Sequence, residues 1–458
     1  MKPNILFILI DDMGWRDLGC YGSAFYETPH IDRLAAEGMR FTGAYAACPV
    51  CSPSRASILS GKYPATVGVT DWIDHGSFHP CYGKLIDAPY TKYLPLTEKS
   101  LASALKEGGY QTWHVGKWHL GQEPYYPKHH GFDVNIGGCE LGHPHHGYFS
   151  PYGIENLPDG PEGEYLTDRL TEEAIRCIEN NDGTPFFLNL WHYAVHTPIE
   201  CPAKEEEKYR QKRADTGLDD VEELEEGEFF PTEQKRGQRL CRRLVQSHPG
   251  YGGMLENLDK NIGRLLEALE RTGQSDNTIV IFTSDNGGLS TAEGSPTCNS
   301  PLSEGKGFVR EGGVRVPLCI KWPSMIEPGS LCDTPVTGTD FYPTLLEAAG
   351  LPLLPEQHCD GVSLAPLFRG EALSRDAIYW HYPHYGNQGG TPAAAVRMGD
   401  YKLIRFFEGD WFELYNLAED IEETTDLSGK LPGLAQSMSE SLSRWLASVK
   451  ARIPKKRY

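Results

Sequence analysis

Long hydrophobic runs and an excess of positive charge are both missing from this sequence. The early apolar stretch NILFILI ends at Asp11 and Asp12, too soon for a membrane span or a complete signal peptide. We therefore expect no membrane partner. We expect a cytoplasmic location for the chain as it stands, or a periplasmic or secreted one if a targeting segment was removed. The net charge of −20 argues against a nucleic-acid partner, because phosphate backbones attract basic surfaces.

Paired cysteines are also scarce. The 12 cysteines are scattered singly along 458 residues, except for Cys48 and Cys51, which is ordinary usage for a reduced protein. A structural zinc site would need a second Cys or His pair, and none accompanies these two residues. The length allows one large α/β core plus a smaller second unit, since single cores stop growing near ~250–300 residues.

Four short apolar runs that end in polar residues predict the strands of a buried, mainly parallel sheet. They are NILFILIDD, QTWHVGKWHLG, PFFLNLWHYAVHTP and NTIVIFTSDNGG, and helical patterns such as TPHIDRLAAEGMRF, SLASALKEGGY and MLENLDKNIGRLLEALERTG alternate with them. This alternation predicts an α/β fold with a large mixed sheet sandwiched by helices. Ligands gather beyond the carboxyl ends of such strands, so the polar residues there are site candidates.

The sequence changes character after about residue 365. The segments AIYWHYP, AAAVRMGDYKLIRFFEG and WFELYNLAED predict antiparallel strands with a Gly-Asp turn, and a helix is expected from about Leu434 to Val449. We expect an N-terminal domain of residues 1–368 and a C-terminal α+β subdomain of residues 369–458. The highly charged residues 203–243 predict a solvated helical insertion on the surface.

The segment CPVCSPSRASILSGKYP, residues 48–64, predicts a short helix that begins next to a cysteine. Ser52 is suited to cap the helix, Pro53 to occupy its first position and Gly61 to end it. Cys51 would then lie at a helix N-terminus, where the macrodipole favours anions and lowers a thiol pKa. Arg55, one turn further on, could clamp a tetrahedral anion with two hydrogen bonds.

This segment resembles the signature of the type I sulfatases, in the alkaline phosphatase superfamily. Their pattern is C-x-P-S-R-x-x-x-L-T-G-R, and this chain has C-S-P-S-R-A-S-I-L-S-G-K, with Ser60 and Lys62 in place of the final Thr and Arg. The resemblance covers most of the chain. Further segments similar to family motifs follow in the family's order: PNILFILIDDMGW, TPHIDRLAAEG, HVGKWHLG, TSDNGG and GKGFVREGGVRVP.

The resemblance implies a sulfatase whose motif cysteine, here Cys51, is converted to Cα-formylglycine by a formylglycine-generating maturation enzyme. It also implies one divalent ion, usually Ca²⁺, with Mg²⁺ as an alternative. The implied metal ligands are Asp11, Asp12, Cys51 as formylglycine, Asp285 and Asn286, and the implied sulfate pocket is Arg55, Lys117, His119, His196 and Lys306. Three carboxylates and an amide oxygen independently suit a hard cation better than zinc. We interpret His192 as a structural residue.

The resemblance further implies a two-step reaction. Hydrated formylglycine is a geminal diol, and one hydroxyl, deprotonated with help from Asp285, would attack sulfur while the cations neutralise the sulfuryl oxygens. His196, or Lys306 beside it, would protonate the leaving alcohol. His119 would then deprotonate the second hydroxyl, which releases sulfate and regenerates the aldehyde. Serine could not perform this second step.

Three segments rich in aromatic residues and histidine, TDWIDHG, GHPHHGYF and YWHYPHYGNQGG, are suited to stacking on sugar rings, although such loops are as often structural. The last resembles a segment of bacterial carbohydrate sulfatases. We expect a small-molecule or oligosaccharide sulfate ester, with exo-action on a galactose-type or N-acetylhexosamine sulfate. The candidate substrate contacts are Asp74, His75, His143, His145 and His384.

Two alternatives stay open at this point. One is a phosphonate monoester or phosphodiester hydrolase of the same superfamily, which would share the fold and the metal site. The other is a non-catalytic sulfated-glycan binding protein, in which Cys51 is never modified.

Overall fold

The computed structural model describes residues 2–74 and 83–457. In these ranges the strands are β1 Asn4–Ile10, β2 Met39–Phe41, β3 Ala44–Tyr45, β4 Leu85–Ile86, β5 Gln111–Gly116, β6 Val134–Ile136, β7 Phe186–Trp191, β8 Leu224–Phe229, β9 Arg239–Arg243, β10 Thr278–Ser284, β11 Leu318–Lys321, β12 Ser330–Cys332, β13 Val336–Thr337, β14 Ile378–Tyr382, β15 Ala393–Met398, β16 Tyr401–Phe406, β17 Trp411–Asn416 and β18 Lys455–Lys456.

The α-helices of the same ranges are α1 Pro29–Ala36, α2 Cys51–Ser60, α3 Pro64–Val67, α4 Leu101–Glu107, α5 Leu166–Glu179, α6 Ala203–Asp215, α7 Pro249–Arg271, α8 Glu311–Val314, α9 Phe341–Ala348, α10 Ala365–Phe368 and α11 Pro432–Ser448. Over the described residues, none of these helices has both the length and the apolar character that crossing a membrane requires.

The largest sheet has the strand order β12-β2-β11-β10-β1-β7-β5-β6. Strand β1 pairs in parallel with β10 and β7, and β5 pairs in parallel with β7 and β6. Strand β11 runs antiparallel to both of its neighbours, β10 and β2. The predicted mixed, mainly parallel sheet is therefore confirmed.

Strand β1 is buried on both faces, which explains its continuous apolar sequence. Leu6 and Ile8 pack in the core that includes residues of α1, α5 and α7. Ile5 and Phe7 pack in the core on the other face, with residues of α2, α4 and α9. Burying each such side chain contributes about 1.5–3 kcal/mol. The predicted layers of helix, sheet and helix are confirmed.

The C-terminal part contains the predicted antiparallel sheet, β14-β15-β16-β17. Strands β15 and β16 are joined at Gly399 and Asp400, the predicted turn, where Gly399 has a φ of 57°. Helix α11 covers one face of this sheet through Met438 and Leu442. The other face packs on the large domain, where Trp380 contacts Tyr45 edge to face. The boundary between residues 368 and 369 stays a prediction.

The charged insertion differs from the expectation in its second half. Residues 203–215 form helix α6 as predicted, but β8 and β9 form an antiparallel pair rather than a helix. Leu240 and Phe230 anchor this pair in a small apolar cluster with Leu289. The helical prediction for residues 224–243 is therefore wrong, because a long-range contact and not local sequence decides this structure.

Candidate active site

Helix α2 begins at Cys51 and not at Pro53. Its N-cap is Val50, in an extended conformation with φ −141° and ψ 161°. The Ser52 hydroxyl does not cap the helix as predicted; it accepts a hydrogen bond of 3.1 Å from the backbone N–H of Ile73. Gly61 ends the helix as predicted, with a φ of 68°. Every residue of α2 is buried, so the helix is fixed on all sides.

The thiol of Cys51 is buried, with 2% of the residue exposed. Burial raises the pKa of this thiol to about 12, and the nearby cations Lys117 and Lys306 only partly offset that effect. The expectation that the helix N-terminus lowers the pKa of Cys51 is therefore wrong. Loss of hydration outweighs the helix dipole, which acts only within the first turn.

The two acidic segments meet because β1 and β10 are neighbouring parallel strands, with Ile10 paired to Ser284. Asp11 and Asp12 follow β1, and Asp285 and Asn286 follow β10. Asp12 donates its backbone N–H to Asp285 Oδ1 at 3.2 Å, and Asn286 Nδ2 donates to Asp12 Oδ1 at 2.8 Å. Asp12 lies in the left-handed region with a φ of 62°, which turns the chain beside Asp285.

Three buried cations accompany the three carboxylates. Lys117 Nζ lies 2.6 Å from Asp11 Oδ2, and Lys306 Nζ lies 2.7 Å from Asp12 Oδ2. Arg55 contacts Asp285 Oδ2 with two nitrogens, Nε at 2.9 Å and Nη2 at 2.8 Å. All six side chains are at most 5% exposed. Buried charges need such partners, because removing one member of a pair costs about 3–5 kcal/mol.

The carboxylates affect each other's protonation. Burial, and next the charge of Asp11, raise the pKa of Asp285 to about 6. Burial would also raise the pKa of Asp12, but the charges of Lys306 and His196 bring it below its usual range. Asp12 is therefore a carboxylate at neutral pH, and Asp285 titrates closer to neutrality than an ordinary aspartate.

Among the residues that the structure describes, two groups of donor atoms could hold a metal ion. Donor atoms of Asp11, Cys51 and Asp285 lie within 4.8 Å of one another, and the same holds for Asp12, Cys51 and His196. Asp11 Oδ1 and Asn286 Oδ1 are buried and have no hydrogen-bond partner among the described residues. Each buried unpaired acceptor costs about 1–3 kcal/mol, which a hard cation could offset.

His196 and Lys306 form a hydrogen-bonded pair. His196 Nδ1 lies 2.8 Å from the carbonyl oxygen of Thr197, and Nε2 lies 3.0 Å from Lys306 Nζ. Burial, and next the charge of Lys306, lower the pKa of His196 to about 4. His196 is therefore neutral at pH 7, and its Nε2 accepts a hydrogen bond from the ammonium group.

His119 follows β5 in the left-handed region, with a φ of 57°. Its backbone N–H donates to the carbonyl of Cys139 at 3.1 Å, and its Nε2 lies 2.9 Å from the carbonyl of Ile73. Because a carbonyl only accepts, Nε2 carries the hydrogen and Nδ1 is the basic nitrogen. A Cβ at Gly142 would lie 2.7 Å from this ring, so glycine permits the close approach.

A cavity of about 450 Å³ lies beside Cys51. Its lining includes the predicted pocket residues Cys51, His119, His196 and Lys306, and the candidate contacts Asp74, His143 and His145. The His143 ring stacks on His196 with centroids 5.7 Å apart. Of the three buried cations, Lys306 lines this cavity, whereas the predicted pocket residues Arg55 and Lys117 are not part of its lining.

Family models match the chain over almost its whole length. The model described as "Sulfatase" matches residues 3–351, and the model described as "N-sulphoglucosamine sulphohydrolase, C-terminal" matches residues 305–451. The chain belongs to the sulfatase family. It is therefore a sulfuric ester hydrolase, and the predicted family and activity class are confirmed.

Similar proteins include other sulfatases. The chain is 33% identical to a Formosa agariphila "Sulfatase", over 97% of this chain and 89% of that protein. It is 32% identical to the mouse "N-acetylgalactosamine-6-sulfatase", over 93% and 76% of the two chains. Among solved structures it resembles Ps i-CgsB in complex with k-i-k-neocarrahexaose, at 30% identity and a TM-score of 0.77, covering 97% and 93% of the two chains.

Among the described residues, one candidate substrate contact of this sulfatase, His384, is not part of the cavity lining. His75 lies outside the described residues. His384 is fully buried and does not line the cavity; its Nε2 lies 2.9 Å from Thr70 Oγ1, and its ring packs against Tyr90 and Tyr382. The expectation for His384 is therefore corrected to a structural role.

The cavity of the sulfatase has further lining residues that the sequence did not single out: Trp72, Thr197, Gln234, Lys235, Glu293, Asn387 and Gln388. Lys235 Nζ donates to the carbonyl of Asn387 at 2.8 Å and lies 3.3 Å from Glu293 Oε1. Lys235 belongs to the insertion interpreted as a surface helix. Asn387 and Gln388 lie inside YWHYPHYGNQGG, and Trp72 lies inside TDWIDHG, so two of the aromatic segments carried a signal for these residues.

Proposed function

We propose that this sulfatase removes sulfate from a sulfated carbohydrate, acting on a terminal galactose-type or N-acetylhexosamine residue. The observation that carries the proposal is that Cys51 lies among three carboxylates paired with three cations and, together with Lys306, lines a cavity of about 450 Å³. The similarity to the mouse N-acetylgalactosamine-6-sulfatase and to a structure with a bound neocarrahexaose supports the choice of sugar.

The proposal includes a calcium ion held by Asp11, Asp12, Asp285, Asn286 and the modified Cys51, with Mg²⁺ as the alternative. Two buried oxygens that have no hydrogen-bond partner among the described residues support this fit: Asn286 Oδ1, and Asp11 Oδ1, which is 3.6 Å from Arg55 Nη2. An oxygen-rich donor set is what Ca²⁺ prefers in proteins. When bound, such an ion supplies positive charge to a sulfate oxygen and favours deprotonation of a neighbouring hydroxyl.

The proposal also includes conversion of Cys51 to formylglycine by a maturation enzyme. The hydrated aldehyde supplies a geminal diol whose hydroxyl is the nucleophile. Arg55 Nε and Nη2 both contact Asp285 Oδ2, whereas Oδ1 accepts a hydrogen bond from the backbone N–H of Asp12 and keeps a lone pair, so Oδ1 is the oxygen proposed to take the hydroxyl proton. A pKa near 6 suits a carboxylate to that task.

Arg55, Lys117 and Lys306 bind and neutralise the sulfuryl oxygens in this proposal. Their carboxylate partners hold the three cations in place before substrate arrives, so little reorganisation is needed when charge develops. Arg55 is also fixed over the ring of Trp191, at 5.1 Å from its centroid. Such preorganised charge is commonly the largest part of catalysis by hydrolases.

The leaving alcohol takes its proton at Lys306 in this proposal. Lys306 is charged and donates to the neutral His196, so Nζ is the protonated atom of the pair. Lys306 Nζ regains the proton from solvent after the alcohol leaves, and the neutral His196 continues to accept its hydrogen bond. His119 Nδ1 is the base that removes the proton from the second hydroxyl, which releases sulfate.

The proposal is tested with a panel of sulfated monosaccharides, p-nitrophenyl sulfate and a phenyl phosphonate monoester. We expect sulfate release from a galactose-type or N-acetylhexosamine sulfate to dominate. A faster phosphonate reaction would favour the phosphonate hydrolase alternative.

In matured protein the tryptic peptide containing Cys51 should weigh about 18 Da less than its thiol form. An unmodified thiol in protein from its native host, together with binding but no turnover, would favour the sulfated-glycan binding protein.

A further inference from the structure

A second cavity adjoins the first one. It has a volume of about 250 Å³, and its lining residues are Ile73, Asp74, Lys92, Tyr93, Gln122, Glu123 and Tyr125. Ile73 and Asp74 line both cavities. The two cavities are therefore neighbours, with Ile73 and Asp74 common to both linings.

The second cavity contains a stacked pair of tyrosines. The rings of Tyr93 and Tyr125 lie 4.0 Å apart and are inclined by 11°. Tyr93 is 38% exposed and lines the second cavity, so part of its ring is accessible to a ligand there. An aromatic face with a polar hydroxyl at its edge fits a pyranose ring, whose C–H face is apolar and whose rim carries hydroxyl groups.

The tyrosine pair is fixed by the chain that follows β5. Gly121 has a φ of 116°, and a Cβ there would lie 2.7 Å from the Cβ of Tyr93 and 3.0 Å from that of Tyr125. Trp118 Nε1 donates to the carbonyl of Tyr125 at 2.8 Å. Because this chain segment also carries Lys117 and His119, the tyrosine pair is held in a fixed relation to the active site.

Asp74 supplies a hydrogen-bond acceptor at the wall between the cavities. It is 4% exposed, and Oδ1 is paired with the ammonium of Lys92. Oδ2 is buried and has no hydrogen-bond partner among the described residues. A carboxylate oxygen of this kind is costly unless a ligand donates to it, and a sugar hydroxyl or acetamido N–H is such a donor.

We propose that the second cavity binds the sugar residue next to the sulfated one, with its ring on Tyr93 and a donor group on Asp74. This inference rests on the proposed function and names its substrate class. The substrate is then an oligosaccharide with the sulfated residue at its end, and a sulfated monosaccharide is a poor substitute. One ring–aromatic contact is worth about tenfold in kcat/KM.

The test compares galactose 6-sulfate and N-acetylgalactosamine 6-sulfate, each as a monosaccharide and as the non-reducing end of a trisaccharide. Sulfate release gives kcat/KM for each form. We expect the wild-type protein to prefer the trisaccharide by about tenfold. Tyr93→Ala should bring that ratio close to one and leave the monosaccharide value unchanged, whereas Tyr93→Phe should keep the preference.

Trp411→Ala is the matched control, because Trp411 is 44% exposed and stacks on Phe406 in the C-terminal sheet. It should not change the ratio. A second measurement needs no variant: the desulfated trisaccharide should inhibit monosaccharide turnover by the wild-type protein, and galactose alone should not. A wild-type ratio of one, or an unchanged ratio in Tyr93→Ala, would overturn this inference alone. No turnover of either form would overturn the proposed function as well.

Discussion

The ammonium of Lys306 lies 3.0 Å from Nε2 of His196, and the imidazole accepts the hydrogen bond. Two cationic residues could not share this position, since the charge of Lys306 helps to hold the pKa of His196 near 4. Lys306 also contacts Asp12 Oδ2 at 2.7 Å. The pair is thus one protonated amine held between a carboxylate and a neutral base, which fits the proposed role of Lys306 as the proton donor.

We expect Lys306→Met to lower kcat by about 10²–10³-fold, because it removes both a charge on the sulfuryl group and the proton donor. Steady-state sulfate release measures the effect. Lys321→Met is the control. Lys321 Nζ lies 2.7 Å from Glu37 Oε2, and neither residue lines the cavity. Near wild-type kcat in the Lys306 variant would show that another group donates the proton.

Cys51→Ser should keep the fold and lose turnover, because an unoxidised serine carries one hydroxyl and is not the geminal diol that the second step needs. The melting temperature should change little, since serine has nearly the size of cysteine. Cys48→Ser is the matched control: Cys48 is also buried, but it packs with Val50 and Trp380 and does not line the cavity. It should retain turnover. Substantial activity in Cys51→Ser would refute the formylglycine mechanism.

Much of this fold could be predicted because local sequence and tertiary structure agree. The buried strand β1 has a continuous apolar sequence, since both of its faces lie in a core. The acidic residues after β1 and β10 follow directly from the ends of those strands. Parallel neighbours end at one edge of a sheet, so the meeting of Asp12 and Asp285 was within reach of sequence reasoning.

The errors arise where distant contacts decide the outcome. The pKa of the Cys51 thiol depends on burial by residues far along the chain, which the helix N-terminus alone does not reveal. Lys235 reaches the cavity because β8 and β9 pair and Leu240 anchors them. His384 lies in an aromatic segment and is fully buried. The composition of such a segment does not reveal whether its histidine faces the core or a ligand.

Asn286→Ala should weaken calcium binding. The substitution removes the unpaired Oδ1, and it also removes the hydrogen bond of 2.8 Å that Nδ2 donates to Asp12. In the wild-type protein, calcium at 100 times its Kd should stabilise the fold by about 2.7 kcal/mol, and chelation should reverse this. Thermal unfolding with calcium or with a chelator measures the difference, and elemental analysis gives the bound metal.

Asp410→Asn is the control for the calcium experiment, because Asp410 is an exposed acid paired with Arg405. It should bind calcium as the wild-type protein does. Equal calcium content and equal stabilisation in Asn286→Ala would remove Asn286 from the proposed ligand set. Loss of calcium stabilisation in both variants would point to a general effect of surface charge.

His192→Leu should make the protein less sensitive to acid. Burial lowers the pKa of His192 to about 3, and neither ring nitrogen has a hydrogen-bond partner among the described residues. Between that value and about 6.5, the unfolded chain binds one more proton at this residue, so the free energy of unfolding falls as pH falls. Urea unfolding at pH 7 and pH 5 should show about 2 kcal/mol less loss in the variant. His129→Leu, at an exposed position, should behave as the wild-type protein does. If the free energy of unfolding fell equally in His192→Leu and in the wild-type protein, His192 would bind protons equally in the folded and unfolded states.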